Sequence, residues 1–224
     1  DGFSIEPAWF IPIIPMVLVN GCKGIGSGWS TSVPSFNPQD LITNLLLMLE
    51  NKKPIEMNPW YRGFKGSISK HDGFYSTEGI IQVIDEQTVR ITELPVGTWT
   101  MDYQNFLDGL VQKSKRKEEN SFVLDYSNQS TDQEVLFVVT FLPNVLPTLL
   151  NGNQLMNKLR LNKTKFSYSN MCLFDENGKI KKYNTPEEIL QDSFPLRRRY
   201  YEKRKFHLMQ QHEQLLERLQ NTLR

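Results

Sequence analysis

Residues 19–38, VNGCKGIGSGWSTSVPSFNP, place four glycines around one large apolar residue, Ile25. The glycines are Gly21, Gly24, Gly26 and Gly28. Glycine has no Cβ, so its backbone can adopt positive φ or approach a partner closely. An isoleucine kept in such a segment needs either a place in the core or a partner outside the chain. This segment is therefore the first candidate for a functional site.

The glycines do not match either common nucleotide-binding pattern. Gly24 and Gly26 open a G-x-G-x-x-G fingerprint, but Trp29 occupies its third glycine position and no helix start follows. Gly21 and Gly26 have the spacing of a P-loop, but Ser27 stands where the lysine belongs. A phosphate-cradling loop would also have no use for Ile25.

A wedge that bends DNA explains the pattern better than a nucleotide-binding loop does. Such proteins push an apolar side chain between base pairs, which unstacks a step and kinks the duplex. Glycines beside the wedge remove side chains that would collide with the sugars. Lys23 lies two residues before Ile25, where it is suited to contact a phosphate. The alternative is a tight turn whose isoleucine fills the core, and the residues alone leave both open.

Composition indicates a globular protein, with 224 residues, 39% of them hydrophobic, and a net charge of +1. The basic charge is concentrated near the end of the chain, where eight Lys/Arg and three Glu follow Pro195. Cys22 and Cys172 have neither metal-ligand nor disulfide-framework spacing and are expected to be packed free thiols. The apolar stretch WFIPIIPMVLV is interrupted by Pro12 and Pro15 and is too short to span a membrane.

Residues 1–36 read as extended chain and turns, and the first helix is predicted to follow Asn37, which can cap it. Strand-like runs at 62–69, 74–85 and 88–95 predict an antiparallel meander. A helical period returns at 98–113. The apolar, β-branched run at 134–142 predicts a buried strand.

The last third of the chain predicts a hairpin and then a long helix. The hairpin spans 171–183, with Asn177-Gly178 at its tip. The helix begins with a capping-type start at Thr185, and its leucines recur near every 3.5 residues toward the end, as in a coiled coil. The expected fold is α/β (α+β), an antiparallel sheet flanked by helices and followed by a helical arm.

Five blocks of the sequence resemble the eukaryotic type IIA DNA topoisomerases, in the order of that family. The blocks are EPAWFIPIIPMVLVNGCKGIGSGWSTSVPSFNP, NPWYRGFKGSI, ITELPVGTWT, MCLFDENGKIKKYNTPEEIL and LRRRYYEKRK. They run nearly from end to end, with a divergent stretch at about residues 112–150. The resemblance implies a fragment of the breakage-reunion core that carries its tower domain.

The resemblance also implies boundaries and a role for the wedge. Residues 1–20 correspond to the tail of the winged-helix region, 21–190 to the tower domain with its DNA-bending loop, and 191–224 to the start of the coiled-coil arm toward the C-gate. The family's intercalating isoleucine aligns with Ile25. The parent enzyme would be a nuclear homodimer that uses Mg²⁺ and ATP to pass one duplex through another.

The resemblance places no catalytic residue in this stretch. The family's catalytic tyrosine would precede Asp1, and no acidic metal triad or ATP site is visible. The chain alone is expected to bind no metal, cofactor or membrane and to cleave nothing, while its partner is double-stranded DNA. Two alternatives remain open: a non-enzymatic DNA-bending protein, and a scaffold or dimerisation module without DNA contact.

Other candidate DNA contacts follow from the side-chain types. Asn20 and Ser27 flank the wedge and are competent donors to phosphate or groove, although both are also common turn residues. Arg62 and Lys65 alternate with aromatic residues on a predicted strand, which suits either a phosphate backbone or a solvated sheet face. Trp29 is expected to pack as an anchor for the loop.

Overall fold

The structure is a computed structural model that describes residues 5–7, 9–119, 121–150, 154–162 and 164–223. The helices are α1 Met16–Asn20, α2 Pro38–Leu49, α3 Thr100–Lys115, α4 Leu146–Leu149, α5 Gln154–Lys158 and α6 Pro186–Leu223. The strands are β1 Cys22–Gly26, β2 Trp29–Val33, β3 Ser67–His71, β4 Phe74–Glu78, β5 Ile80–Val83, β6 Thr88–Glu93, β7 Val123–Asn128, β8 Phe137–Phe141, β9 Thr164–Ser167, β10 Met171–Phe174 and β11 Ile180–Tyr183.

The chain divides into two compact units. The first, called here the hairpin unit, is Asp1–Pro59 together with Asn170–Arg224; the second, the sheet unit, is Trp60–Ser169. The boundaries predicted at residues 20 and 190 assign parts of a family rather than compact units, so they stay predictions. Residues 1–4, 8, 120, 151–153, 163 and 224, which those predicted segments include, lie outside the described residues.

The sheet unit contains two antiparallel sheets, a four-stranded one in the order β5-β6-β8-β7 and a three-stranded one in the order β3-β4-β9. Alternate residues of β8 are fully buried, namely Phe137, Val139 and Phe141. Tyr103 and Leu107 on α3 join the same core at helical spacing. Each such buried side chain contributes about 1.5–3 kcal/mol, so this layer of helix on sheet holds the unit together. The predicted mixture of antiparallel sheet and helices is confirmed.

The predicted meander is wrong at one point, because the run 74–85 forms two strands in different sheets. Gly79 separates them: its N–H donates to Leu161 O at 2.8 Å, and a Cβ built there would collide with Glu93 O. The backbone of β6 therefore passes too close for any side chain. A single glycine ends one strand and redirects the chain to the next sheet.

The hairpin unit contains α1, α2, α6 and two separate two-stranded hairpins, β1–β2 and β10–β11. The predicted cap of α2 is confirmed, since Asn37 Oδ1 accepts from Gln39 N at 2.9 Å. Buried Asn44 on α2 bonds both the N–H and the carbonyl of Ile55, at 2.7 and 2.9 Å, which fixes the segment after the helix.

None of the helices in the described ranges is long and apolar enough to span a membrane.

The long helix α6 confirms the predicted start, because Glu188 N donates to Thr185 Oγ1 at 3.3 Å. Its 38 residues correspond to about 57 Å at 1.5 Å per residue. Large apolar side chains in its second half are exposed, from 41% for Leu208 to 89% for Leu223. This stripe therefore has no packing partner among the described residues.

Candidate functional site

The glycine-rich segment forms the β1–β2 hairpin, called here the glycine hairpin. A two-residue turn, Ser27-Gly28, joins the strands, and Gly28 takes φ of 78°. The prediction of turns and extended chain over residues 1–36 missed this hairpin and α1. The Ser-Gly pair is the local signal that would have indicated a tight turn between two short strands.

Ile25 lies on the glycine hairpin with 91% of its surface exposed. The alternative in which this isoleucine fills the core is therefore wrong. Ile25 is the register partner of Ser30, and Lys23 is the partner of Ser32. Side chains alternate along a strand and register partners share a face, so these four residues lie on one face of the hairpin. That face combines one large apolar side chain with one cation and two hydroxyls.

The four glycines form two pairs: the local backbone requires glycine at one pair and not at the other. Gly21 has φ of 69°, and a Cβ there would lie 2.7 Å from Ser35 Oγ and 2.9 Å from Val33 O. Gly28 needs its positive φ for the turn. A Cβ on Gly24 would meet nothing within 4 Å, and one on Gly26 would make only an ordinary 3.7 Å contact. Gly24 and Gly26, the two neighbours of Ile25, are therefore not required by the fold of this chain.

The base of the glycine hairpin is anchored in the hairpin unit. Leu18, Val33 and Phe36 are buried there, and Phe36 N donates to Leu18 O at 2.7 Å. Asn170, which precedes β10, also contacts β2: its carbonyl accepts from Ser32 N at 2.8 Å. Sequence reasoning missed Asn170, since no local signal links residues so far apart in the chain.

The other residues predicted near the wedge are exposed. Asn20 ends α1 at the entry to the hairpin, and Ser27 occupies its turn. Trp29 is 54% exposed, so it is not the packed anchor that we expected. Cys22 and Cys172 are free thiols, as predicted, but they are partly exposed rather than fully buried.

Arg62 and Lys65 belong to the sheet unit and do not lie on a strand. Gly63, with φ of 83°, turns the chain between them, and β3 begins only at Ser67. The strand prediction failed because the alternation of basic and aromatic residues arises here in a turn. Both cations are exposed, and the Lys65 N–H donates to Glu93 Oε2 at 3.1 Å.

The basic residues of the second hairpin and of α6 are partly engaged within the hairpin unit. Lys181 forms an ion pair with Asp192, and Arg199 forms one with Glu176. Arg197 donates from Nη1 to Ile11 O at 2.6 Å. Arg197 and Arg199 are thus engaged by groups that lie outside α6 but within the hairpin unit.

Among the described residues, no group of three or more His, Cys, Asp or Glu side chains is placed to hold a metal ion. The glycines lie on a β-hairpin, where no helix N-terminus follows to bind a phosphate. The described side chains therefore offer no fit for Mg²⁺, and the glycine hairpin does not fit the phosphates of ATP.

The tip of the second hairpin has its own electrostatics. Backbone N–H groups of Lys179 and Asn177 donate to Asp175 Oδ1 at 2.8 and 2.9 Å, and these bonds hold the pKa of that carboxyl below its usual 3.8. Burial raises the pKa of Tyr183 above its usual value, and its hydroxyl donates to Asp192 at 2.9 Å. We call β10–β11 the Asp175 hairpin.

Comparison with known proteins identifies the family. The sequence matches the DNA gyrase/topoisomerase IV family over residues 1–224. It is 42% identical to DNA topoisomerase 2 of Pisum sativum over 226 residues, covering all of this chain and 15% of that protein. It is 38% identical to the mitochondrial DNA topoisomerase 2 of Dictyostelium discoideum, covering all of this chain and 17% of that protein.

A solved structure supports the same assignment. The DNA-binding, cleavage and re-ligation domain of Plasmodium falciparum topoisomerase II matches with a TM-score of 0.87 at 38% identity, over 93% of this chain and 28% of that one. The chain thus spans only about 15% of the length of the pea relative. Since the match extends over every residue, the chain belongs to the DNA gyrase/topoisomerase IV family, and within it resembles eukaryotic DNA topoisomerase 2.

Proposed function

We propose that this chain binds and bends the gate DNA in an ATP-dependent type IIA topoisomerase, which passes one duplex through a transient double-strand break in another. Ile25 enters a base step of the gate duplex. The relatives named DNA topoisomerase 2 support the enzyme class. The Plasmodium structure, described as a DNA-binding, cleavage and re-ligation domain, supports the assignment to the DNA-handling core.

The observation that carries the proposal is the pair of glycines beside Ile25 that the fold does not require. Neither Gly24 nor Gly26 has a positive φ; a Cβ would meet open space at Gly24 and only an ordinary 3.7 Å contact at Gly26. Glycine in the interior of a strand normally lowers stability. It loses more conformational freedom on folding than other residues do, and it has no side chain to pack. Bare backbone on both sides of an exposed isoleucine is instead what close approach to a DNA groove needs.

Contacts at and around Ile25 offset the free-energy cost of bending the DNA. Bending a short site costs about 1–6 kcal/mol. Burying the exposed isoleucine between bases returns about 1.5–3 kcal/mol. Lys23 supplies a phosphate contact beside it, and Asn20 and Ser27 donate hydrogen bonds to the backbone or groove.

In the sheet unit, Arg62 and Lys65 are proposed as further phosphate contacts. Both are exposed cations on a glycine-containing turn. Such contacts carry no sequence information but position the protein on the duplex. They make binding salt-dependent, because each neutralised phosphate releases counterions.

The remaining features of the enzyme are proposed for the whole protein. It acts as a homodimer, and the exposed leucine stripe of α6 is consistent with helix pairing. Mg²⁺, ATP and the nucleophile that cleaves DNA belong to other parts of the protein, so this chain alone cleaves nothing. We assign it to the nucleus, although one relative is named as mitochondrial.

The test is end-to-end FRET on a short labelled duplex, with binding followed separately by anisotropy. We expect the full-length protein to raise the FRET and Ile25→Ala to bind DNA without raising it. Ile5→Ala is the matched control, because Ile5 is also 91% exposed but has no glycine next to it in the sequence. If Ile25→Ala bends the duplex as well as the wild type does, the wedge is refuted.

A further inference from the structure

Asn170 contacts the glycine hairpin directly across from its DNA-facing side chains. Its Nδ2 donates to Ser30 Oγ at 2.5 Å, and its carbonyl accepts from Ser32 N at 2.8 Å. Ser30 is the register partner of Ile25, and Ser32 is the partner of Lys23. Asn170 therefore bonds β2 at the two residues that pair across the hairpin with Ile25 and Lys23.

The glycine hairpin needs support from outside its own strands. A two-stranded hairpin is at best marginally stable by itself. Gly24 and Gly26 contribute no side chains to stiffen it, and the tip residues from Lys23 to Ser30 are all exposed. The position of Ile25 as it enters stacked bases therefore depends on contacts from outside the hairpin.

The Asp175 hairpin is a suitable support because α6 holds it in place. Asp192 on α6 pairs with Lys181 and accepts the Tyr183 hydroxyl at 2.9 Å. Arg199 on α6 pairs with Glu176 at the other end of the hairpin. The helix thus holds both the β11 strand and the turn of this hairpin.

A second contact joins the two hairpins on the opposite side of β2. Cys172 N donates to Thr31 Oγ1 at 3.2 Å, while Ser30 and Ser32 meet Asn170. Successive side chains of a strand point to opposite faces, so β2 is held from both. Asn170 reaches the face that carries Ile25, and Cys172 reaches the other.

We propose that Asn170 is a positioning residue for DNA bending: its side chain, through Ser30, holds the hairpin so that Ile25 is driven into the base step. The inference rests on the proposed role of Ile25. Asn170 does not itself need to touch DNA. Its loss lowers bending while DNA binding, which depends on the cations, is retained.

The experiment measures bending and binding separately in the full-length protein carrying Asn170→Ala, Ser30→Ala or both substitutions. Asn170→Ala removes the side-chain bond to Ser30 and a weaker one that Cys172 Sγ donates to Asn170 Oδ1 at 3.5 Å, and it leaves the main-chain bond to Ser32. We expect the ratio of bent to unbent complexes to fall about fivefold in each single variant, the usual worth of one neutral hydrogen bond. Affinity by anisotropy should fall by less than this ratio does, because the unbent complex still binds, and bending in the double variant should fall no further than in either single one.

Two variants serve as controls. Ser30→Thr keeps the hydroxyl and suits a strand, so it should bend DNA like the wild type. Asn184→Ala removes an asparagine whose bond to Glu188 comes from its main chain, so it should also leave bending unchanged. Thermal midpoints of all variants identify any loss of folding. If Asn170→Ala is misfolded, the comparison of Ser30→Ala with Ser30→Thr tests the positioning role instead.

The outcomes separate the inference from the proposed function. If Ile25→Ala abolishes bending while Asn170→Ala and Ser30→Ala bend normally, the positioning role is wrong and the wedge stands. Additive losses in the double variant, or an equal loss of affinity and bending, also overturn the positioning role. If Ile25→Ala bends DNA normally, the wedge fails and the inference fails with it.

Discussion

The two hairpins of the hairpin unit differ mainly in what surrounds an exposed apolar residue near the tip. Ile25 on the glycine hairpin is 91% exposed, and Phe174 on the Asp175 hairpin is 72% exposed. Glycines flank Ile25, whereas Asp175 and Glu176 follow Phe174. Acidic groups repel a phosphate backbone and glycines do not obstruct it. If Ile25 acts as proposed, exposure alone does not make a DNA wedge; bare backbone and the absence of negative charge are also required.

The hairpins also differ in the origin of their rigidity. The Asp175 hairpin is closed from within, because one carboxylate accepts two backbone N–H groups of its own turn. The glycine hairpin has no such bond among its described tip residues and is held from outside, at Ser30 and Ser32. In the proposed wedge, Ile25 and Lys23 are left to meet DNA, while Ser30 and Ser32 on the other strand take their support from Asn170.

The largest effect on DNA bending and affinity is expected when the glycine hairpin is made acidic like the tip of the Asp175 hairpin. Ile25→Asp removes the apolar wedge and places a carboxylate against the DNA. We expect bending to be lost and affinity to fall at least about tenfold, in line with the 1.5–3 kcal/mol from burying an isoleucine. Phe174→Asp, on the acidic tip, should leave both unchanged. Equal losses from both variants, in the same FRET and anisotropy assays, would break the comparison.

The glycines of the first hairpin should separate folding from function. Gly21→Ala forces a side chain into positive φ and into Ser35 and Val33, so we expect a loss of about 1–3 kcal/mol in unfolding free energy. Gly24→Ala meets open space at an unstrained backbone position, so it should stabilise the fold by about 0.4–1 kcal/mol. Gly24→Ala should nevertheless weaken bending. Denaturant unfolding and FRET on both variants test this, and a strongly destabilised Gly24→Ala would remove the argument from unrequired glycines.

The cations should differ in the salt dependence of DNA binding. Lys23 is exposed beside the wedge, whereas Lys181 is paired with Asp192. Lys23→Gln should reduce the slope of log K against log salt by about 0.9, the value for one phosphate contact. Lys181→Gln should leave the slope unchanged. Titrations across a range of salt concentrations measure both, and an unchanged slope for Lys23→Gln contradicts the phosphate contact.

The sequence predicts the Asp175 hairpin but not the glycine hairpin, and the reason is local. Asn177-Gly178 is a strong turn signal between two alternating runs, and the hairpin depends on bonds within its own turn. The glycine hairpin depends on buried Leu18 and Phe36 and on Asn170, which lies 140 residues from Ser30. Packing between distant segments has no signature in a short window, so this hairpin and its support were missed.

The site was predictable only where chemistry is carried by single side chains. Ile25 and Lys23 stand out by type and spacing, and the structure shows both exposed on one hairpin. The strand predicted for Arg62 and Lys65 failed because Gly63 turns the chain there. Alternation of residue types does not reveal a positive φ.

The smallest expected effect concerns pH, and it distinguishes a hairpin closed from within from one held from outside. Backbone N–H groups of Lys179 and Asn177 hold the pKa of Asp175 below 3.8, so the folded state favours its ionised form. Their contribution to stability is fully present above the usual pKa and is lost as pH falls through the lowered one. The amide NMR shifts of Asn177 and Lys179 should therefore move only below about pH 4. The shifts of Ser27 and Gly28 should stay constant there, because no carboxylate closes their turn; a matching acid transition at Ser27 would show that the two tips do not differ in this way.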